Sequence, residues 1–254
     1  MTMKVVVVTS RVTYVRDNYL AAIKRMLQLP VTEADISISS LVLLQIPAPV
    51  LLKNIIGLPL IGAPGMAFAL SRNWVESELS DPRVKAAEQA RVPVFRCSSM
   101  NQPQAHEYLK TLQPDIILNM RTRNIYKAPV LGIPRLGCVN VHHGLLPENH
   151  GLMCDLWAWA EGRPAGFTVH WMNEKIDDGL IIERREVPTA GLRSYLDLPY
   201  RSSLVEADCL TGVLRRLARE GKAGGTPNRC ATINFTRTPT PTQIVAWRRK
   251  GLKL

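Results

Sequence analysis

The stretch KVVVVT, residues 4–9, decides the fold of this chain. Its four successive valines form an unbroken β-branched run, which is typical of a parallel strand buried on both faces. Further short apolar runs occur at Ile36–Leu44, 92–96, 115–119 (DIILN) and Gly137–His142. Helical segments separate these runs, so the sequence predicts an α/β fold with an open, mostly parallel, Rossmann-like sheet.

The helices between these strands are predicted from residues that commonly cap a first turn. Asp17 or Asn18 would start a helix that ends near residue 27, and Asp81 would cap residues 82–91. The remaining predicted elements are a helix to residue 112, a short helix at 155–161, strands at 167–172 and 180–187, a helix at 202–219, and a helix from Thr240 and Pro241 to about 250. Ligands of such sheets bind beyond the carboxyl ends of the strands, which singles out loops 10–16, 121–124 and 142–151.

Composition and charge predict a globular domain, residues 1–192, followed by a basic, mainly helical C-terminal extension, residues 193–254. The chain has 254 residues, of which 46% are hydrophobic, and a net charge of +11. The extension carries 12 Lys and Arg against 4 Asp and Glu. No zinc-finger spacing and no basic stripe with interleaved aromatics is present, which argues against a nucleic-acid partner.

The five cysteines form no C-x-x-C pair, and the amino-terminal apolar run is too short for the core of a signal peptide. We therefore expect a reducing, cytoplasmic location and no metal site.

The segment 41–70 is mostly apolar and was tested as a membrane span. Gln45, Lys53, Asn54 and several prolines and glycines interrupt it, whereas a spanning helix needs about 20 nearly unbroken apolar residues. We expect two buried elements joined by a loop, and no membrane partner. Packing against lipid, an apolar ligand or a protein partner is the alternative.

Several common catalytic motifs are absent from the sequence. The first strand ends in Thr9-Ser10-Arg11 without the glycines of a dinucleotide site, and Gly221-Lys222 is followed by Ala223, so a phosphate loop fails. G-x-S-x-G and H-E-x-x-H are missing as well. Redox, P-loop and hydrolase chemistry therefore lose their usual support.

The densest polar cluster is NVHHGLLP, residues 140–147. Residues two apart on a strand face the same way, so Asn140 and His142 project together at the carboxyl end. An amide can stabilise a developing oxyanion, and an imidazole can move a proton near neutral pH. A second motif, GFTVH at 166–170, is followed after six residues by Asp177-Asp178-Gly179, in a predicted turn between two strands. An acidic side chain from that turn near His142 would raise the pKa of the imidazole.

The combined pattern N-x-H-x-x-L-L-P, G, then G-x-T-x-H-x6-D-x-G resembles the folate-dependent formyltransferase family over about residues 113–188. The family includes glycinamide ribonucleotide, methionyl-tRNA and sugar-amine formyltransferases. The resemblance implies 10-formyltetrahydrofolate as formyl donor and Asn140, His142 and Asp177 as catalytic residues. It places the donor between two loops, with the contacts Met120, Arg121, Thr122, Arg123, Asn124, Asp178 and Gly179. It places the acceptor near His150, Gly151 and His170.

The resemblance also implies a mechanism in which an amine attacks the formyl carbon. Asn140 and protonated His142 would hold the oxyanion, while Asp177 keeps His142 charged and helps to move a proton to the folate leaving group. The chain departs from the family at Glu148-Asn149-His150, where many relatives have basic residues, and at the polar loop Arg121–Asn124, whose arginines would meet a folate tail or an acceptor phosphate.

We expect the acceptor to be a small-molecule amine or hydroxylamine, such as an amino sugar nucleotide. The region after residue 192 shows little strand signal, which argues against the barrel domain of the tRNA enzyme. The alternatives are a formyltetrahydrofolate hydrolase, an enzyme of the methionyl-tRNA formyltransferase type, and an inactive folate-binding module. The sequence leaves open whether the chain forms a homodimer.

Overall fold

The structure is a computed structural model that describes residues 2–222 and 224–254. Its strands are β1 (Met3–Ser10), β2 (Ile36–Leu44), β3 (Val94–Cys97), β4 (Ile116–Met120), β5 (Gly137–His142), β6 (Asn149–Gly151), β7 (Gly166–Trp171), β8 (Ile181–Glu186) and β9 (Asn234–Thr236). Its helices are α1 (Leu20–Thr32), α2 (Ala48–Leu60), α3 (Pro64–Ser80), α4 (Pro82–Gln89), α5 (Pro103–Leu112), α6 (Ala128–Leu131), α7 (Cys154–Ala160), α8 (Asp197–Glu220) and α9 (Pro241–Arg249).

Seven of these strands form one sheet in the order β3-β2-β1-β4-β5-β7-β8. The five strands from β3 to β5 are parallel, and β7 and β8 are antiparallel additions at one edge. The predicted mostly parallel α/β sheet is therefore confirmed. The strand order reverses between β1 and β4, which is where open sheets of this type form a ligand crevice.

The valines of β1 are buried on both faces of the sheet, as the unbroken run predicted. Val5 and Val7 belong to the larger core cluster, to which α1 and α8 contribute, and Val6 and Val8 to a smaller cluster with α5 and α6. Full burial of a valine contributes roughly 1.5–3 kcal/mol. β1 is thus held from both sides, and the strand ends next to it are fixed.

Asp81 caps α4 as predicted, and its side chain accepts a hydrogen bond from the backbone N–H of Arg83. The predicted cap of α1 was wrong: Tyr19 occupies the cap position, and Asp17, two residues earlier, accepts hydrogen bonds from the backbone N–H groups of Tyr19 and Ala21. α1 continues past its expected end near residue 27, because Leu27 and Leu29 still face the core. Thr240 begins α9 with a capping box.

The segment 41–70 is organised differently from the expectation. It completes β2, forms all of α2 and enters α3. The expectation of two buried elements was wrong for α2, in which only Leu51 is buried. The composition of the segment showed that it is apolar. It could not show that only one side of α2 packs against the rest of the chain.

Segments beyond residue 192, where the sequence places the start of an extension, contact the rest of the molecule extensively. α8 packs against α1 and adds Leu210 and Leu214 to the larger core cluster. β9 pairs in parallel with β6, and Trp247 of α9 meets Trp157 edge to face, with ring centroids 4.9 Å apart. The C-terminal segment therefore supports the loop that follows β5.

Candidate active site

Three polar residues form a row across the neighbouring strands β4, β5 and β7. Register pairs Asn119 of β4 with Asn140 of β5, and Asn140 with His170 of β7. Each follows an apolar residue whose side chain points to the opposite face of its strand. The strand pairing alone brings these three side chains together.

The hydrogen bonds along this row have one consistent direction. Asn119 Nδ2 donates to Asn140 Oδ1 at 2.8 Å, and Asn140 Nδ2 lies 3.1 Å from His170 Nε2. His170 Nδ1 lies 2.8 Å from the carbonyl oxygen of Trp171 and donates to it. Asn140 can then donate one N–H to the unprotonated Nε2 of His170, which leaves its second N–H for an oxyanion.

Asn119 is a site residue that the sequence analysis missed. Its Oδ1 accepts hydrogen bonds from Thr122 Oγ1 at 2.7 Å and from the Tyr126 hydroxyl at 3.2 Å. These two donors fix which end of the Asn119 amide faces Asn140, and so fix the orientation of the Asn140 amide. An asparagine that ends the otherwise apolar run DIILN was the available signal, but its partner became evident only from the strand register.

His142 and Asp177 form an ion pair next to this row. His142 Nδ1 lies 3.4 Å from Asp177 Oδ1, and both side chains are about nine-tenths buried. The other ring nitrogen, Nε2, lies 2.9 Å from the carbonyl oxygen of Asn149. Both nitrogens therefore face acceptors, which is the arrangement that favours the doubly protonated ring.

The two histidines of the site differ in charge at neutral pH: His142 is positively charged and His170 is neutral. Burial disfavours the charged form of His142, but the contact with Cys154 and the charge of Asp177 outweigh it and raise the pKa of His142 to about 9. Burial, together with the charge of His142, lowers the pKa of His170 to about 4. The site thus holds one imidazolium beside one neutral imidazole.

Asp177 is held in place by its own backbone conformation and by two other segments. It adopts a left-handed conformation, φ 53°, which aspartate tolerates better than most residues. Asn228 donates to its carbonyl oxygen at 2.6 Å, and the N–H of Gly151 faces its carboxylate at 3.4 Å. Its neighbour Asp178 is exposed and accepts a hydrogen bond from Asn173, so the structure brings Asp177 and not Asp178 to His142.

Cys154 is a second residue that the sequence analysis did not nominate. Its sulfur lies 3.6 Å from His142 Nε2 and 3.2 Å from Thr236 Oγ1, and the side chain is buried. No local pattern indicated it, because Cys154 reaches His142 only when α7 packs against the loop after β5. The cysteine therefore packs on the side of the imidazole that faces away from Asp177.

Residues 120–124, which the resemblance implies as donor contacts, lie at the end of β4 and in the loop after it, in different environments. Met120 is buried in the larger core cluster. Thr122 is bonded to Asn119, and Asn124 binds the backbone N–H of Met100 and the hydroxyl of Ser99. Only the side chain of Arg123 among them is exposed.

Arg121 does not lie where the sequence placed it. Its guanidinium is buried on the other side of the sheet, 3.8 Å from the Glu206 carboxylate and over the ring of Tyr19. Glu206 also binds the ring of His143, which follows the catalytic strand on that side. The Arg121 side chain therefore does not extend from the exposed loop toward the proposed donor, because the left-handed conformation of this residue turns it inward.

The remaining nominated positions shape the loops around the ion pair. His150 is buried with Nε2 3.0 Å from the carbonyl oxygen of Pro147. A side chain at Gly151 would lie 2.2 Å from the carbonyl oxygen of Thr236, and one at Gly179 would lie 1.7 Å from that of Trp171. These two glycines let the backbone approach neighbouring strands closely, which sets the position of Asp177.

The sheet order is that of an α/β protein with a ligand crevice beside Asn140, His142 and Asp177. The chain belongs to the formyl transferase family, whose model matches residues 71–213. This match runs from α3 to α8 and includes Asn140, His142 and Asp177.

Relatives of known function resemble only part of the chain. The methionyl-tRNA formyltransferase of Citrifermentans bemidjiense is 31% identical over 145 residues, which are 57% of this chain and 46% of that protein. The bifunctional polymyxin resistance protein ArnA of Wigglesworthia glossinidia brevipalpis is 36% identical over 98 residues, 38% of this chain and 15% of that one. The chain thus spans less than half the length of these relatives.

Solved structures resemble the chain over most of its length. A sugar N-formyltransferase from Shewanella has a TM-score of 0.59 at 16% identity and matches 95% of this chain and 85% of that one. The phosphoribosylglycinamide formyltransferase of Anaplasma phagocytophilum has a TM-score of 0.61 at 16% identity, over 93% of this chain and 100% of that one. At such identities the likeness confirms the formyltransferase fold.

Proposed function

We propose that this chain transfers a formyl group from 10-formyltetrahydrofolate to the amine of a small-molecule acceptor. The observation that carries the proposal is the buried ion pair of His142 and Asp177 beside an Asn140 amide of fixed orientation. A positive charge and an amide donor beside each other suit the oxyanion that forms when an amine attacks a formyl carbon.

The two loops proposed to hold the donor fit such a molecule chemically. Ile125 follows one loop and Ile176 lies in the other, and both expose more than half of their side chains. Arg123 is exposed on the first loop and forms no ion pair within the described part of the chain. Apolar side chains suit a pterin ring, and an unpaired guanidinium suits the carboxylates of a glutamate tail.

The donor would supply a formyl carbon already bonded to nitrogen, and the residues of this chain would make its transfer possible. Asn140 would donate its second N–H to the developing oxyanion. His142 would add its positive charge, and Asp177 would preserve that charge by accepting from Nδ1. Asp177, as the carboxylate beside His142, would accept the proton that the attacking amine loses and relay it to folate N10, while the bond between N10 and the formyl carbon breaks.

The acceptor is proposed to be a small amine. The loop proposed to lie near the acceptor differs from the common family pattern at residues 148–150. Its side chains are paired within the protein: Glu148 forms an ion pair with Arg184, and the Asn149 side chain accepts a hydrogen bond from Arg163. Neither side chain is left free to bind an extended partner. The internal pairing of both side chains supports a small acceptor.

The test is to incubate the purified chain with 10-formyltetrahydrofolate and a panel of amino sugars, amino sugar nucleotides and amino acids. We expect amine-dependent formation of tetrahydrofolate and of the N-formyl product by mass spectrometry. Asp177→Asn should abolish both, and the matched variant Asp178→Asn should retain them. Formate release that does not depend on an amine would replace the proposal with a hydrolase, and donor binding without turnover would replace it with an inactive module.

A further inference from the structure

The outer side of α2 is apolar although no part of the described chain covers it. Leu51, Ile55 and Leu58 point inward and pack with α3 and Val12. On the other side, Leu52, Ile56 and Leu60 expose 50%, 58% and 83% of their surface. We call these three residues the apolar face. Their spacing of four residues places them in one row along the helix.

A helix on the surface of a globular protein normally has charged or polar residues on its solvent-facing side. α2 contains one charged residue, Lys53, and no acidic residue. Phe68, one turn into α3, is an aromatic side chain that is 72% exposed. Helices that are apolar all round are found in contact with another apolar phase, and contiguous exposed apolar patches mark interaction sites.

A cluster of cations lies directly beside the end of this helix. Arg248 packs on Gly62, where an added Cβ would stand 2.7 Å from its guanidinium nitrogen, and Gly62 follows the apolar face by two residues. The cluster consists of Arg248, Arg249, Lys250 and Lys253, all exposed; we call it the basic cluster.

None of the four cations is neutralised. In residues 2–222 and 224–254, no carboxylate forms an ion pair with any of them. The sequence has no Asp or Glu after Glu220, so the positive charge there is not balanced by neighbours in the chain.

We propose that the apolar face and the basic cluster form a peripheral membrane-binding surface for anionic lipid. The apolar side chains would enter the boundary between headgroups and acyl chains, and the cations would contact the anionic headgroups. A second copy of the chain fits this surface less well, since α2 offers no acidic group to meet the basic cluster. No helix in the described residues is long and apolar enough to cross a membrane, so the contact lies on the surface.

This proposal departs from the sequence expectation that no membrane partner is involved. That expectation rested on the interruptions of segment 41–70, which exclude a span but leave an interfacial helix open. The contact is independent of the proposed formyl transfer, because the apolar face and the basic cluster lie outside the catalytic set.

The experiment is co-sedimentation of the full chain with vesicles of phosphatidylcholine alone and of phosphatidylcholine with about one third phosphatidylglycerol. We expect binding to the anionic vesicles that high salt weakens strongly. Ile56→Ser with Leu60→Ser should reduce the partition coefficient at least about tenfold. Arg249→Gln with Lys250→Gln should reduce it about twentyfold. These side chains are exposed, so the variants should fold, which circular dichroism would check.

Two control variants match these changes elsewhere on the surface. Val31→Ser removes an apolar side chain that is 87% exposed at the end of α1, and Lys24→Gln with Lys85→Gln removes two exposed charges. Both should bind vesicles like the parent chain. Equal loss in the control variants, or no binding to anionic vesicles, would overturn the proposal. So would a dimer in solution that Ile56→Ser with Leu60→Ser dissociates, because a second copy would then cover the face.

Discussion

Replacing Asp177 by Asn should lower the pKa of His142 and so reduce the positive charge on its ring. The carboxylate lies 3.4 Å from Nδ1 in a buried pair. At an effective dielectric constant of about 20, two unit charges at that separation attract each other by about 5 kcal/mol. The rise of the His142 pKa from 6.5 to about 9 corresponds to about 3.4 kcal/mol, at about 1.36 kcal/mol per pH unit.

The electrostatic attraction is thus comparable to the whole rise of the pKa. Without Asp177, burial still lowers the pKa of His142 and the contact with Cys154 still raises it. We expect the pKa of His142 in Asp177→Asn to fall from about 9, and the charged fraction of the ring to fall with it. Formyl transfer should slow by about 10²–10⁴-fold, the usual contribution of a positioned proton-transfer group.

The pKa would be followed by NMR of the histidine ring carbons, with the His142 signal assigned from His142→Gln. Stopped-flow or steady-state formation of tetrahydrofolate would give the rate. Asp178→Asn is the control, since it removes an exposed carboxylate one residue away. The reasoning would be refuted if His142 in Asp177→Asn kept a pKa near 9, or if the two variants lost activity equally.

Three further predictions concern the same site. Asn119→Ala should lower kcat about 10–100-fold with little change in KM for the donor, because the Asn140 amide loses the partner that orients it; unchanged kcat in a folded variant would contradict this. Gly179→Ala should lower Tm by several degrees, since its Cβ would collide with a backbone oxygen, whereas Gly212→Ala, which meets nothing within 4 Å, should leave Tm equal or higher by calorimetry. Activity and stability should both decline as pH rises through about 9, because the pKa of His142 is raised by folding and the stabilisation is lost when the ring deprotonates; a flat profile to pH 10 would be inconsistent with that charge.

The parts of the fold that could be predicted from sequence are those in which local pattern and burial agree. The run KVVVVT is buried on both faces of the sheet, and the segment Gly137–His142 ends at the site. Both formed strands close to the expected bounds. The family resemblance selected Asp177 over Asp178, and in the structure the carboxylate of Asp177 lies 3.4 Å from His142 while that of Asp178 binds Asn173.

The parts that could not be predicted depend on contacts between distant segments. The role of Asn119 follows from the register of β4 with β5, which no local pattern encodes. Arg121 looked like a ligand-binding cation, but a buried carboxylate on α8, 85 positions later in the printed sequence, draws it inward. The outer side of α2 has the same composition as a buried helix, so only the structure could show that it is exposed.

The pairing of β9 with β6 has a consequence for how the chain matures during synthesis. Asn228 holds the backbone of Asp177, and Thr236 meets Cys154, so segments near the C-terminus complete a site whose catalytic strand ends at His142. A ribosome that has released the whole seven-stranded sheet, through residue 186, has therefore not yet released the segment that holds Asp177 and contacts Cys154. Nascent chains of this protein would complete the site only after residues 228–236 emerge.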